Sequence, residues 1–160
     1  MRAGWLIIDG YSLLHRFDPE GIRRPGGLAL ARQRLVRLIE EYAAGQAERA
    51  TIVFDGRERG RGEGYESEAL EVLFSPAGRT ADAVIERLVH DCKEPERVMV
   101  VSSDRLERQT VSAGGAQTMS CGDFLEHCKR QRPPHRPSVR AGSHRPATLG
   151  DLFPPDRAGR

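Results

Sequence analysis

The chain of 160 residues is short of paired cysteines, of long apolar runs and of a decisive net charge. Its three cysteines, Cys92, Cys121 and Cys128, are odd in number and form no CxxC pair. That spacing argues against a disulfide framework and a zinc site, and suits buried thiols in a reducing compartment. The chain enters Trp5-Leu6-Ile7-Ile8 almost at once, a run far too short for a signal peptide or a membrane span. A soluble, cytoplasmic protein with no membrane partner is therefore expected. The formal charge is only +2, but it is unevenly spread. Residues 129–160 set Lys129, Arg130, Arg132, Arg136, Arg140, Arg145, Arg157 and Arg160 against only Asp151 and Asp156, whereas residues 1–128 carry a slight excess of acids. A basic tail on a mildly acidic domain suits a polyanionic partner such as RNA or the ribosome.

What is present has the rhythm of an α/β domain. Residues 4–8, 50–54, 70–74, 97–101 and 116–119 are short apolar runs bounded by turn residues, the pattern of buried strands. Between them, Pro25-Gly26-Gly27 introduces a helix whose apolar positions recur at three- and four-residue spacing until Gly45. Thr80 is placed to cap a second helix, a third follows Asp104, and Ser120 is placed to cap a fourth. Alternation of this kind predicts a mostly parallel sheet with helices on both faces. The division expected is a nuclease-sized domain over residues 1–130 and a Pro/Arg-rich tail over 131–160, too polar to fold alone. A small apolar island at 148–154 interrupts the tail.

Four aspartates stand where a strand ends or a helix begins: Asp9, Asp55, Asp82 and Asp104. In an open parallel sheet the carboxyl ends of the strands line one crevice, where such folds bind ligands. Carboxylates converging there repel one another unless a cation joins them, and Mg²⁺ or Mn²⁺ takes oxygen ligands of this kind. Asp9, Asp82 and Asp104 are the expected metal ligands, with Asp55 and Glu86 completing a catalytic set. Glu86 follows Asp82 at i+4, on the same helical face. Ser12 and Ser103 are expected just behind the ligands. Such a site activates water for attack on a phosphodiester. Each aspartate taken alone also has a bland explanation, because Asp-Gly after a strand is a common turn and Asp in a first helical turn a common cap.

The runs Ile7-Ile8-Asp9-Gly10-Tyr11-Ser12-Leu13-Leu14, Val53-Phe54-Asp55-Gly56, Thr80-Ala81-Asp82 with Glu86, and Val101-Ser102-Ser103-Asp104-Arg105 resemble the YacP-like branch of the NYN domain ribonucleases, relatives of the PIN domain nucleases. The similarity runs in order over roughly residues 4–128. It implies a PIN-like three-layer α/β/α fold and a Mg²⁺- or Mn²⁺-dependent endoribonuclease acting on single-stranded RNA. By analogy with the branch's best-known member, it also implies cleavage of mRNA on the ribosome. Asp9, Asp55, Asp82 and Asp104 match the acidic pocket, with Glu86 a secondary match. The family's first motif usually ends in Asn, where this chain has Ser12, a shorter group with a single hydroxyl.

Arg57, Arg59 and Arg61, with Arg105, are the expected cations for substrate phosphates, and Tyr11 is placed to stack on an unpaired base. His15 and Arg16 are secondary candidates. A non-catalytic RNA- or ribosome-binding module with residual acids is the competing reading. A phosphoacceptor receiver domain fits less well, since Asp9 has no acidic neighbour and no Lys follows near Met119. A nucleophilic Asp-x-Asp phosphatase fails at Tyr11. Oligomeric state is not legible. If the tail holds RNA or the ribosome, deletion after residue 132 will weaken that binding more at low salt than at high salt. Affinity unchanged across a salt titration would remove the tail from the mechanism.

Overall fold

The strand β1 (Ala3–Asp9) is the pivot of the fold, because it is the central strand of five. The computed structural model describes residues 2–56 and 70–132. In it β1 hydrogen-bonds to β2 (Ala47–Phe54) and to β4 (Val98–Val101), and β3 (Leu70–Phe74) and β5 (Gln117–Met119) complete a sheet of order β3-β2-β1-β4-β5. Every pairing is parallel. Such a sheet needs cover on both faces, and successive residues of β1 divide between them. Leu6 and Ile8 join one buried cluster, while Ile7 joins the other.

Six α-helices among the described residues supply the two outer layers, giving a three-layer α/β/α architecture. On the Leu6 and Ile8 face lie α1 (Gly10–Phe17), α3 (Gly27–Gln46) and α6 (Cys121–Gln131), through Leu13, Leu35, Ile39 and Phe124. On the Ile7 face lie α4 (Ala81–His90) and α5 (Arg105–Ala113), through Ile85, Val89 and Val111. The short α2 (Pro19–Arg23) links α1 to α3. No described helix is long and apolar enough to cross a membrane.

Five strands fall where hydrophobic patterning puts them, and two helices do not. α1 begins directly after β1 with no intervening turn, its N-terminus capped by the Asp9 side chain. α2 is announced only by Asp18-Pro19, a cap followed by proline at the first helical position. Gly45 does not end α3, which runs on to Gln46 and passes straight into β2. Its start is as expected: Gly26 adopts φ 71°, a left-handed conformation open to glycine. Arg57, Arg59 and Arg61, the tail after residue 132 and its apolar island lie outside the described residues.

The order of strands puts the connections from β1 and β4 on opposite faces of the sheet. A crevice opens between their carboxyl ends, at the topological switch point. The immediate entry into α1 is possible because residue 10 is glycine. A Cβ there would lie 2.6 Å from the fully buried Phe54 ring and 3.0 Å from Ile52. Phe54 is itself held by stacking on Phe74 at 5.7 Å between ring centres. Gly10→Ala is therefore expected to destabilise by about 1–3 kcal/mol through overpacking, although alanine is the better helix former. Urea denaturation measures this, and a midpoint equal to wild type would show that Phe54 gives way freely.

Candidate functional site

Three carboxylates meet at the crevice. One oxygen each from Asp9, Asp82 and Glu107 lies within 4.8 Å of the others. Asp9 arrives from the end of β1 and is buried, Asp82 from the first turn of α4 and is half-buried, and Glu107 from the first turn of α5 and is buried. The cleft beside them, about 680 Å³, is lined by Tyr11, Ser12, His15 and Arg16 of α1, by Asp55 after β2, and by Ser103 after β4.

The electrostatics of this cluster are unfavourable as they stand. Burial pushes Glu107 up to about 8, and the charges of Asp9, Asp82 and Asp104 add to the rise while the Ser102 hydroxyl opposes it. Neither oxygen of Glu107 makes a hydrogen bond of full geometry among the described residues. Asp82 is also raised, first by burial, then by Asp9, Asp104 and Glu86, with its contact to Glu107 working the other way. Desolvated like charges favour protonation. Buried carboxylate oxygens without donors, facing two further carboxylates, form a donor set suited to a hard divalent cation.

Asp9 is better supported. Its Oδ1 accepts from the Ser12 backbone N–H at 3.3 Å, and its Oδ2 accepts from the Ser12 hydroxyl at 2.8 Å. The first contact is the cap of α1, and the second fixes the rotation of the carboxylate. Ser12 thus supplies both donors that hold Asp9 from α1.

The other expected residues separate into those the cleft includes and those it does not. Asp55, Tyr11, Ser12 and Ser103 border it. Tyr11 packs edge-on against His15, with ring centres 4.3 Å apart. Asp104 is exposed and lies outside the three-carboxylate group. Its Oδ1 accepts from the backbone N–H groups of Leu106 at 2.8 Å and Glu107 at 3.3 Å, so it serves as the cap of α5. Glu86 is exposed and borders a different cleft on α4, although its charge reaches Asp82. Arg105 is exposed on α5 and does not line the cleft.

Glu107 is the residue that motif reading passes over. Asp104-x-x-Glu107 reads as an ordinary capping pattern. The available signal lies in periodicity: Glu107 precedes Val111 by four residues, so it occupies the apolar stripe of α5, and those two are the buried residues of the helix. An acid on an apolar stripe directly after a strand end marks a buried carboxylate.

The pH dependence follows from the raised Glu107. Below about 4.5 the group is protonated folded or unfolded, and its contribution to stability is fully present. As pH rises toward 8 the unfolded chain ionises first, and that contribution is lost. In metal-free protein, Glu107→Gln is thus expected to raise Tm at pH 8 and to change it little at pH 4. Differential scanning calorimetry tests this, and equal Tm values at pH 8 would refute the buried, unneutralised carboxylate.

The fold has known counterparts. A crystal structure of Rae1 (YacP) from Bacillus subtilis is similar to this chain at 24% identity, covering 78% of this chain and 73% of that one, with a TM-score of 0.67. A structure of a single-substitution variant of the same protein gives 23% identity, 79% and 74% coverage and a TM-score of 0.62. At these identities the likeness speaks for the fold. Comparison with curated protein sequences finds no match. The model of the YacP-like NYN domain matches residues 6–151, past the stretch over which the motifs are read, and NYN domains are generally nucleases. The chain belongs to the YacP-like NYN domain family.

Proposed function

We propose that this chain is a divalent-metal-dependent endoribonuclease that hydrolyses single-stranded RNA, with residues 1–130 as the nuclease domain and 131–160 as a basic tail. The observation that carries this reading is the convergence of Asp9, Asp82 and Glu107 oxygens within 4.8 Å, two of the three being buried. Mg²⁺ or Mn²⁺ held there would supply Lewis acidity toward a phosphoryl oxygen and a water acidified enough to attack. The chain's own residues do the rest. Ser12 keeps the Asp9 carboxylate in one orientation, which sets where a bound cation stands. Asp55 lies across the cleft and can accept a hydrogen bond from a substrate hydroxyl or an ordered water. Arg16 and His15 border the same cleft from α1 and offer donors to the phosphates of the bound strand. Tyr11 offers an aromatic face to a base.

Ribosome-bound mRNA is the substrate setting that the family resemblance favours, in a cytoplasmic protein. Its test is a comparison of cleavage with and without ribosomes.

The nuclease reading makes a discriminating set of expectations. Asp9→Asn, Asp82→Asn and Glu107→Gln abolish Mn²⁺-dependent RNA cleavage while leaving the fold intact by circular dichroism. Asp104→Asn, which preserves a capping oxygen, keeps most of the activity. Ser12→Ala lowers activity or metal affinity by about 10–100-fold. Gel assays over a Mn²⁺ titration read all five. Wild type and acidic variants cutting equally would sink the proposal, whereas wild type that binds RNA without ever cutting it would favour a non-catalytic binding module.

A further inference from the structure

A second groove opens beyond the acidic cleft, at the free edge of the sheet. The cleft spans the carboxyl ends of β2, β1 and β4, and β5 follows one strand spacing further on, about 5 Å. Thr118, Met119 and Ser120 floor a groove of about 430 Å³ there, with Arg108 of α5 on one wall and His127 and Arg130 of α6 on the other. The two depressions share a rim. The Ser102 backbone N–H donates to the Met119 carbonyl at 3.2 Å, tying the ends of β4 and β5 together. The Cys121 thiol has both Ser103 of the cleft and Arg108 of the groove as neighbours. From the cleft side, the Arg16 guanidinium reaches α6, 3.4 Å from where a Cβ on Gly122 would stand.

The groove's acids have local partners, and its cations form no close ion pair among the described residues, although the charge of Arg130 reaches Glu126. Asp123 accepts from the Ser120 hydroxyl at 2.7 Å within the cap of α6, and Glu126 accepts from Lys129 at 3.0 Å. Among the described residues no ion pair engages Arg108, His127 or Arg130. Arg108 is half-buried, so its side chain is held in place at the groove while its charge has no carboxylate partner there among the described residues. Among the described residues Met119 is the only large apolar side chain in the lining, so that surface lacks the apolar centre of a protein interface. Lys129 and Arg132 stand beside Arg130 at the end of α6, but are paired with Glu126 and Glu41, which leaves Arg130 as the unpaired cation of that end among the described residues.

We propose that this groove holds the sugar–phosphate backbone of single-stranded RNA as it leaves the acidic cleft, with Arg108 and Arg130 each taking a phosphate. The strand's origin in the cleft rests on the nuclease reading above; the phosphate contacts do not. Fluorescence anisotropy on the full chain in an Asp9→Asn background, without divalent metal, tests it with two probes. One is a single-stranded RNA long enough to reach both depressions, and the other is a trinucleotide. The Arg108→Ala/Arg130→Ala variant is expected to bind the long RNA about tenfold more weakly at low salt. It should also lower the slope of log Kd against log salt by about one to two, with trinucleotide binding unchanged. Arg130→Ala alone, at an exposed helical position, should give about half the slope change without any effect on folding, and Arg108→Lys should restore most of the affinity. Unchanged long-RNA affinity and slope would overturn the proposal, as would equal losses for both probes or no long-RNA binding at all. Cleavage by wild type is scored separately: its absence would sink the nuclease reading and leave a salt-dependent groove standing.

Discussion

The crowding of three desolvated carboxylates is the constraint on which the rest of the molecule depends. Asp9, Asp82 and Glu107 crowd one another enough to raise Asp82 and Glu107, and rigid elements hold them together. β1 is held by hydrogen bonds on both sides, and α4 and α5 are packed on one shared apolar cluster through Ile85, Val89 and Val111. The helices that carry Asp82 and Glu107 are thereby fixed relative to each other by the same contacts that fix them to Ile7 and Val53. Stability spent on the site is recovered from apolar burial directly beneath it.

Much of this was legible in residue order. The five apolar runs with their turn residues predict the strands, and Thr80 and Ser120 cap the helices that follow them. Periodicity did not reveal α1 and α2, because α1 starts in the residue after β1 and only Gly10 allows that. The acids were partly legible. Asp9 and Asp82 stand where strand ends and helix starts put them. Asp104, in the more conspicuous position, turns its oxygen back on its own helix, while Glu107 one turn later faces inward. Spacing identifies a helix start, but it does not tell which acid of the first turn is buried. That depends on how α5 is rotated by Val111 against the sheet.

Ser12 shows how a departure from a family pattern can leave the geometry of a site intact. Its hydroxyl has one hydrogen to give, and that hydrogen goes to Asp9 at 2.8 Å. An amide at the same place could hold the carboxylate and still present a second donor to the cleft. The present arrangement keeps the orienting contact and forgoes a second one.

The registration of β1 has a consequence for how this protein fails. Asp9 pairs with Val53 at the last rung of the sheet, and side chains alternate between faces along the strand. A slip of one rung would exchange Ile7 with its neighbours across the sheet and carry Asp9 out of reach of α4 and α5. There is no partly displaced arrangement in which the core survives and the acids still meet. Misassembled chains would lack the carboxylate cluster altogether rather than hold it loosely.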